Sequence, residues 1–218
     1  REMKNTLLLQ GSILAAAGIL TKLIGFLYRI PMANLLGNQG NGVYSIAYGI
    51  YTVTLTLSSM SLPTAVSKVV SARLARDEHR NAARVLTIAL VFALLMGTFS
   101  FSLLYFGAHM LEGFYQTEGL WRPLRVLAPT SFLFAFLGVM RGYTQGSGSM
   151  VPTAISQIVD QCFNAVISIV AAWTLLNVYG AGDEAASWGA MGGTLGTLAG
   201  AVTSFLFMAF YMLRRLPE

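Results

Sequence analysis

TLLLQGSILAAAGILTKLIGFLYRIPMANL, Thr6 to Leu35, decides the fold. Its thirty residues hold only two charges, Lys22 and Arg29, and a bilayer-spanning helix needs about 20 apolar residues. A cation near the middle of such a helix costs roughly 2.5–3.5 kcal/mol. Charges there therefore face a polar cavity or a partner rather than lipid. Lys22 and Arg29 are seven apart, which places them almost on one helical face. Gly11, Gly18 and Gly25 repeat at the same spacing, and each cation follows a glycine by four. The first helix thus presents a stripe of small residues and positive charge.

Composition extends this reading to the whole chain. Of 218 residues, 55% are hydrophobic and 11% charged, and mean hydropathy is +0.63. A soluble domain carries about 25% charged residues, so this is an all-α integral membrane protein. The net charge of +5 does not point to nucleic acid, because the cations are not gathered on one face with interleaved aromatics. They fall between apolar runs, where orientation signals belong. A single cysteine, Cys162, leaves no disulfide framework and no CxxC metal or redox motif. His109 and Glu112 can share a helical face, which reads more simply as an interfacial pair than as a metal site. Lys4, the apolar run and Ala15–Ala17 have the look of a signal peptide, but the run continues past the alanines and reads as an uncleaved first helix.

Six segments are long enough to span: about 6–34, 43–66, 86–108, 122–141, 152–178 and 187–213. Between them, Gly37–Gly42, Gly142–Gly148 and Gly180–Glu184 carry turn chemistry, and Pro152 suits a first helical turn. Pro31, Pro63 and Pro129 fall inside or at the ends of spans. With the N-terminus in the cytoplasm, ten Lys and Arg lie inside, among them Arg1, Lys68, Arg73, Arg141 and Arg214. Arg122 and Arg125 lie outside. Both termini are then cytoplasmic, as expected for one lobe of a duplicated transporter. No internal repeat stands out. The Lys68–Arg84 segment reads as a solvated inner helix end.

Two further stripes carry polar chemistry. On the second helix Tyr44, Tyr48 and Tyr51 share a face, with Ser45, Thr52, Thr54, Thr56, Ser58 and Ser59 around it. The hydroxyls can simply bond their own helix, and Tyr44 can equally belong to an outer aromatic belt. Deeper phenols such as Tyr48 and Tyr51 need a partner and suit a polar cavity. On the fifth helix Thr153, Gln157, Asp160, Gln161, Asn164 and Ser168 are spaced by threes and fours. That stripe must face protein or water, either as interhelical hydrogen bonds or as a cavity wall with Asp160 as charge partner, proton site or sodium site. Asp160 reads as the only acid in any span, and Lys22 and Arg29 as the only deep cations. The sixth-helix glycines Gly189, Gly192, Gly193, Gly196 and Gly200 form small-xxx-small faces for close packing. The Gly142–Gly148 segment lacks the strand and the Gly-Lys-Ser/Thr ending of a phosphate loop and reads as a helix connector. No nucleophile–base pair, metal constellation or paired-carboxylate site appears, so an enzyme is not expected.

Leu62-Pro63-Thr64-Ala65-Val66-Ser67-Lys68-Val69-Val70, Arg141-Gly142-Tyr143-Thr144-Gln145-Gly146, Met150 to Gln157 and Asp160-Gln161 together resemble segments of bacterial polysaccharide exporters. Thr21-Lys22-Leu23-Ile24-Gly25-Phe26 resembles the first helix of the same group. The resemblance is to the stage V sporulation protein B-like flippases of lipid-linked oligosaccharide and lipid II, within the multidrug/oligosaccharidyl-lipid/polysaccharide (MOP) exporter superfamily. It implies two six-helix lobes around a central cavity with alternating access, of which this chain matches the first, the second being absent from it. It also implies that first-helix cations line the cavity, here Lys22 and Arg29. Asp160 stands where the family has a glutamate.

The expected function is therefore translocation of a lipid-linked sugar diphosphate across the bacterial cytoplasmic membrane. Lys22, Arg29, Tyr48, Tyr51, Gln157, Gln161 and Asn164 are the candidate substrate-binding residues, and Asp160 is the charge partner or Na⁺/H⁺ coupling site. No cofactor and no metal are expected; the partners are the lipid substrate and the bilayer. Two alternatives remain: a cation-coupled multidrug exporter of the same superfamily, and a non-transporting membrane scaffold.

Overall fold

Each apolar run becomes a helix because a chain in lipid must satisfy its backbone N–H and C=O groups within the segment. The computed structural model describes residues 2–58 and 61–215. Its elements are α1 (Glu2–Ser58), α2 (Leu62–Ala75), α3 (His79–Phe106), α4 (Ala108–Tyr115), α5 (Trp121–Gly146), α6 (Val151–Tyr179) and α7 (Ala185–Arg215). Five helical stretches among the described residues are long and apolar enough to cross a membrane, the first taking in α1 and α2. Arg1, Ser59, Met60 and the last residues, Leu216–Glu218, lie outside the described residues.

The expected loop at Gly37–Gly42 is corrected. Helix runs through the segment, and only Gly37 leaves helical geometry, at φ 70° and ψ −179°. That backbone region is open essentially to glycine alone. Asn41 Nδ2 donates to the carbonyls of Ala33 (2.9 Å) and Gly37 (2.8 Å), satisfying acceptors freed by the break. In a straight helix Tyr28 and Tyr44 would sit about 24 Å apart, yet both line one cavity. The chain therefore folds back at Gly37, and α1 is two arms, 2–36 and 38–58.

Of the expected span 43–66, residues 43–58 are helix, and Leu62 opens α2, whose first turn holds Pro63. Pro63 suits that place because its missing N–H would be unpaired there anyway. The Lys68–Arg84 segment is the end of α2, a tight turn with Asp77 at φ 55°, and the start of α3. Most of its charged residues are exposed, as a solvated helix end should be.

The expected 122–141 span is longer in the structure: α5 continues to Gly146, so the glycine-rich segment after Arg141 is mostly helix rather than connector. Its glycines serve contact instead of turning. A Cβ on Gly142 would strike the Pro63 carbonyl and Val66, and one on Gly146 would strike the Ser67 carbonyl. Helix α5 lies inside, with α2 and α3 on one side and α7 on another; α6 packs along α7, and both arms of α1 draw on α6 and α7. At the α6–α7 contact the expected glycine packing is present: Gly192 lies on Ala172, Gly196 on Ser168 and Asn164, and Gly200 on Asp160. The turn at 180–184 joins these two helices where the sequence placed it.

Candidate functional site

The fold-back at Gly37 sets the tyrosine face of the second arm against the cationic face of the first. Tyr44 and Tyr48 stack at 5.7 Å between ring centroids, and Tyr48 and Tyr51 sit at 5.6 Å. The hydroxyls around them mostly take the plain option. Thr52 donates to Tyr48 O, Thr54 to Ile50 O and Ser58 to Thr54 O, all at 2.7–2.9 Å. Tyr44 faces inward, with Tyr28 and Arg29, rather than joining an outer belt.

Two cavities adjoin. The first, about 310 Å³, is lined by Lys22, Gly25, Phe26, Tyr28, Arg29, Tyr44, Tyr48, Gln161 and Asn164. The second, about 220 Å³, lies deeper and is lined by Tyr48, Tyr51, Thr130, Asp160, Gln161, Asn164 and Thr197, among others. Tyr48, Gln161 and Asn164 belong to both, so they form the wall between a cationic chamber and one holding a carboxylate. Gln161 Oε1 lies close to Gly25, where a Cβ would stand in ordinary contact with it at 3.7 Å. That oxygen is buried without a hydrogen-bond partner.

On the α6 stripe Thr153, Asn164 and Ser168 are buried and Gln157, Asp160 and Gln161 half-buried, as the cost of facing lipid requires. Ser168 Oγ lies 2.9 Å from Asn164 Oδ1 and 3.0 Å from the Gly193 carbonyl, within hydrogen-bond reach of both. Gln145 Nε2 donates to Thr153 Oγ1 at 3.2 Å. Of the eight candidate residues, Lys22, Arg29, Tyr48, Gln161 and Asn164 meet in the first cavity, and Tyr51 and Asp160 join in the second. Gln157 is half-buried on the same stripe but lines neither.

One reading is corrected here. Lys22 and Arg29 are not the only cations deep in a span: Arg141 is 8% exposed. It lies more than a turn before the end of α5, where its Nε donates to Ser156 Oγ at 2.9 Å. Sequence placed Arg141 at a helix end because the glycines after it look like a turn; what they pack against is visible only in three dimensions. Tyr28, Thr130 and Thr197 were missed as well. Tyr28 carried a signal, being adjacent to Arg29 and one turn from Gly25.

At the opposite end, Arg122 lies between the rings of Trp121 (4.6 Å) and Trp188 (4.4 Å) and bonds Ser187 Oγ (3.1 Å) and Glu184 (3.0 Å). His109 and Glu112 pair at 3.6 Å, and among the described residues no cluster could hold a metal.

Long apolar helices around a polar interior are those of a multi-pass membrane protein. The chain belongs to the polysaccharide biosynthesis protein family, whose sequence profile matches residues 7–216. It is 34% identical to stage V sporulation protein B of Bacillus subtilis (strain 168) over 207 residues, 94% of this chain and 39% of that protein. It is 26% identical to the lipid II flippase MurJ of the same organism over 211 residues, 92% of this chain and 39% of that protein. A crystal structure of a MATE mutant shares the fold at a TM-score of 0.75 and 18% identity, over 94% of this chain and 46% of that one. The chain spans about two fifths of the length of the curated relatives it matches.

Proposed function

We propose that the chain is the N-terminal, six-crossing lobe of a flippase for a lipid-linked sugar diphosphate, with both of its ends on the cytoplasmic side. The supporting observation is the shared cavity of Lys22 and Arg29. Two cations seven residues apart meet tyrosine and carboxamide groups there instead of lipid. A diphosphate offers two adjacent negative groups with acceptor oxygens, which an ammonium and a guanidinium engage by charge-assisted hydrogen bonds. Tyr48, Tyr51, Gln161 and Asn164 supply hydroxyl and amide groups for sugar and phosphate oxygens, and Gln157 would join them if α6 turns during the cycle. The role is transport, not bond-breaking.

Charge also gives the cycle a driving term. The membrane potential is worth about 2.3 kcal/mol per elementary charge per 100 mV. Returning an empty, cationic cavity can therefore be driven by voltage. The likeness to the lipid II flippase and the match to the polysaccharide biosynthesis family support this substrate class. A cation-coupled exporter is the second reading, favoured by Asp160 on the wall of the deeper cavity, where a proton or Na⁺ would bind.

A binding comparison tests the choice. The complete natural protein in nanodiscs, titrated with a polyprenyl diphosphate and with tetraphenylphosphonium, should prefer the diphosphate and lose that preference at high salt. Preference for the organic cation would favour the exporter.

A further inference from the structure

The end of the bundle that holds the start of α1 also holds a cavity apart from the cationic one. It measures about 300 Å³ and lies between the last turns of α5 and α7, lined by Tyr143, Thr144, Ser147, Ser149, Tyr211 and Arg215 among others. None of its lining residues is acidic. The turn on its α5 side is held by hydrogen bonds. Gly148, at φ 101°, donates its N–H to the Gln145 carbonyl at 3.0 Å, and Ser149 N donates to the Thr144 carbonyl at 3.3 Å. Met150 N donates to Gln10 Oε1 at 2.7 Å, so the first arm of α1 pins the same turn. From α7, the Arg215 guanidinium stands 5.3 Å over the Tyr211 ring, a cation–π contact that keeps this long side chain at the cavity. Its neighbour Arg214 stands over Phe210 at 4.7 Å and does not line the cavity. The hydroxyls divide into two sets. Those of Thr144 and Ser147 donate to carbonyls of α5, at 2.9 Å each. Those of Tyr143, Ser149 and Tyr211 have no hydrogen-bond partner among the described residues. Three idle O–H groups and a guanidinium thus share one cavity without a carboxylate.

We propose that this cavity is a phosphate-binding site, separate from the cavity of Lys22 and Arg29. A guanidinium and phosphate oxygens form charge-assisted hydrogen bonds, and hydroxyl donors serve the oxygens that remain. A carboxylate would engage the guanidinium with both of its oxygens and leave the α5 side unserved. A tetrahedral phosphate has oxygens for Tyr143 and Ser149 on one wall and for Tyr211 and Arg215 on the other. The position suits a headgroup. The apolar run of α7 ends at Leu213, so Arg214 and Arg215 fall where the helix leaves the hydrocarbon. Basic pockets between membrane helices on the cytoplasmic side bind anionic headgroups, and the orientation proposed above puts this end on that side. An anionic lipid and a soluble phosphate offer the same group to the same donors. Bound there, that group ties the end of α7 to the turn that Gln10 of α1 holds.

The test uses the complete natural protein in detergent, with phosphatidylglycerol, net-neutral phosphatidylcholine and inorganic phosphate as probes. Native mass spectrometry reads lipid binding, and the melting temperature reads folding and the inorganic ion. Phosphatidylglycerol should bind about tenfold more tightly than phosphatidylcholine, and Arg215→Gln should remove that preference, the worth of one hydrogen bond to a charged group. Arg214→Gln loses the same charge from outside the cavity and should cost less than about twofold, as an exposed charge does. Ser149→Ala with Tyr211→Phe leaves the charge and the ring in place and should cost about fivefold for two lost donors. If phosphatidylglycerol shows no preference but inorganic phosphate raises the melting temperature of wild type and not of Arg215→Gln, the site stands with a soluble occupant. The proposal is overturned if neither probe depends on Arg215, or if the hydroxyl variant binds both probes as wild type does. It is also overturned if Arg214→Gln costs as much as Arg215→Gln, since surface charge alone would then account for binding. None of these outcomes depends on what Lys22 and Arg29 receive.

Discussion

Helix α5 and the first arm of α1 are both apolar and both carry buried-type charges, yet the fold treats them oppositely. Along α5 most residues are buried, and Arg141 among them donates to Ser156 Oγ. The first arm is exposed along most of its length, from Leu7 to Ile30, and its cations line an open cavity. An interior position forces a charge to be paired at home, because burying one alone costs several kcal/mol. A position on a cavity wall leaves the charge for a visitor. The guanidinium of Arg141 bonds α5 to α6, whereas that of Arg29 lines a cavity.

The largest effect should come from filling the close contacts of the packed half. Gly196→Leu would drive a side chain into Ser168 and the Asn164 carbonyl. It should cost about 3 kcal/mol or more, the upper range for overpacking, and calorimetry in detergent would show it as a large loss of melting temperature. Gly18→Ala is the matched change on the open arm, where a Cβ meets nothing within 4 Å. It should be neutral or stabilising by up to about 1 kcal/mol. Equal destabilisation by the two would break the contrast between the regions.

A smaller effect is expected at the far end of the packed half. Arg122→Ala removes a guanidinium held between two indoles and bonded to Ser187. A loss of about 1–2 kcal/mol is expected, since partly shielded cation–π contacts are worth about 0.5–2 kcal/mol each. Arg122→Lys should recover little of it, because an ammonium cannot stack as the planar group does. Chemical denaturation of the two variants would check this.

The smallest effect is at the solvated turn between α2 and α3. There Asn81 and Arg73 hydrogen-bond the Glu78 carboxylate, Arg73 at 3.1 Å, and hold it below the ordinary 4.5 of a glutamate. A carboxyl depressed in the folded state contributes stability that is present above its unfolded value and lost as pH falls through the folded one. Hydrogen exchange in residues 76–78 should therefore quicken only on acidification below about pH 4.5. Glu78→Gln should abolish that dependence. A turn whose exchange is unchanged by acid would mean that these bonds contribute nothing.

How much of this was legible in the sequence depends on what each residue needs from its neighbours. The α6 stripe was readable because a carboxylate and carboxamides at helical spacing can face only protein or water, whatever surrounds them. Lys22 and Arg29 were readable for the same reason. The Gly142–Gly146 segment was not, since glycine signals a turn and a close helix contact alike, and only Pro63 and Ser67 across the interface decide between them. Misreading that segment hid the burial of Arg141. Gly37–Gly42 posed the same ambiguity and resolved in both ways at once: one glycine turns the chain and the rest is helix.

The measurement that bears most directly on the exposed cations is flipping of a fluorescent lipid-linked sugar diphosphate in proteoliposomes. It should compare the complete natural protein with its Lys22→Ala/Arg29→Ala variant, with melting temperatures taken alongside. Flipping should fall at least about a hundredfold, the loss of two charge-assisted contacts at about 1.4 kcal/mol or more each. The melting temperature should stay within a few degrees, because neither side chain supports the packed half. Flipping at the wild-type rate in the double variant would contradict the assignment of Lys22 and Arg29 as the groups that receive the diphosphate.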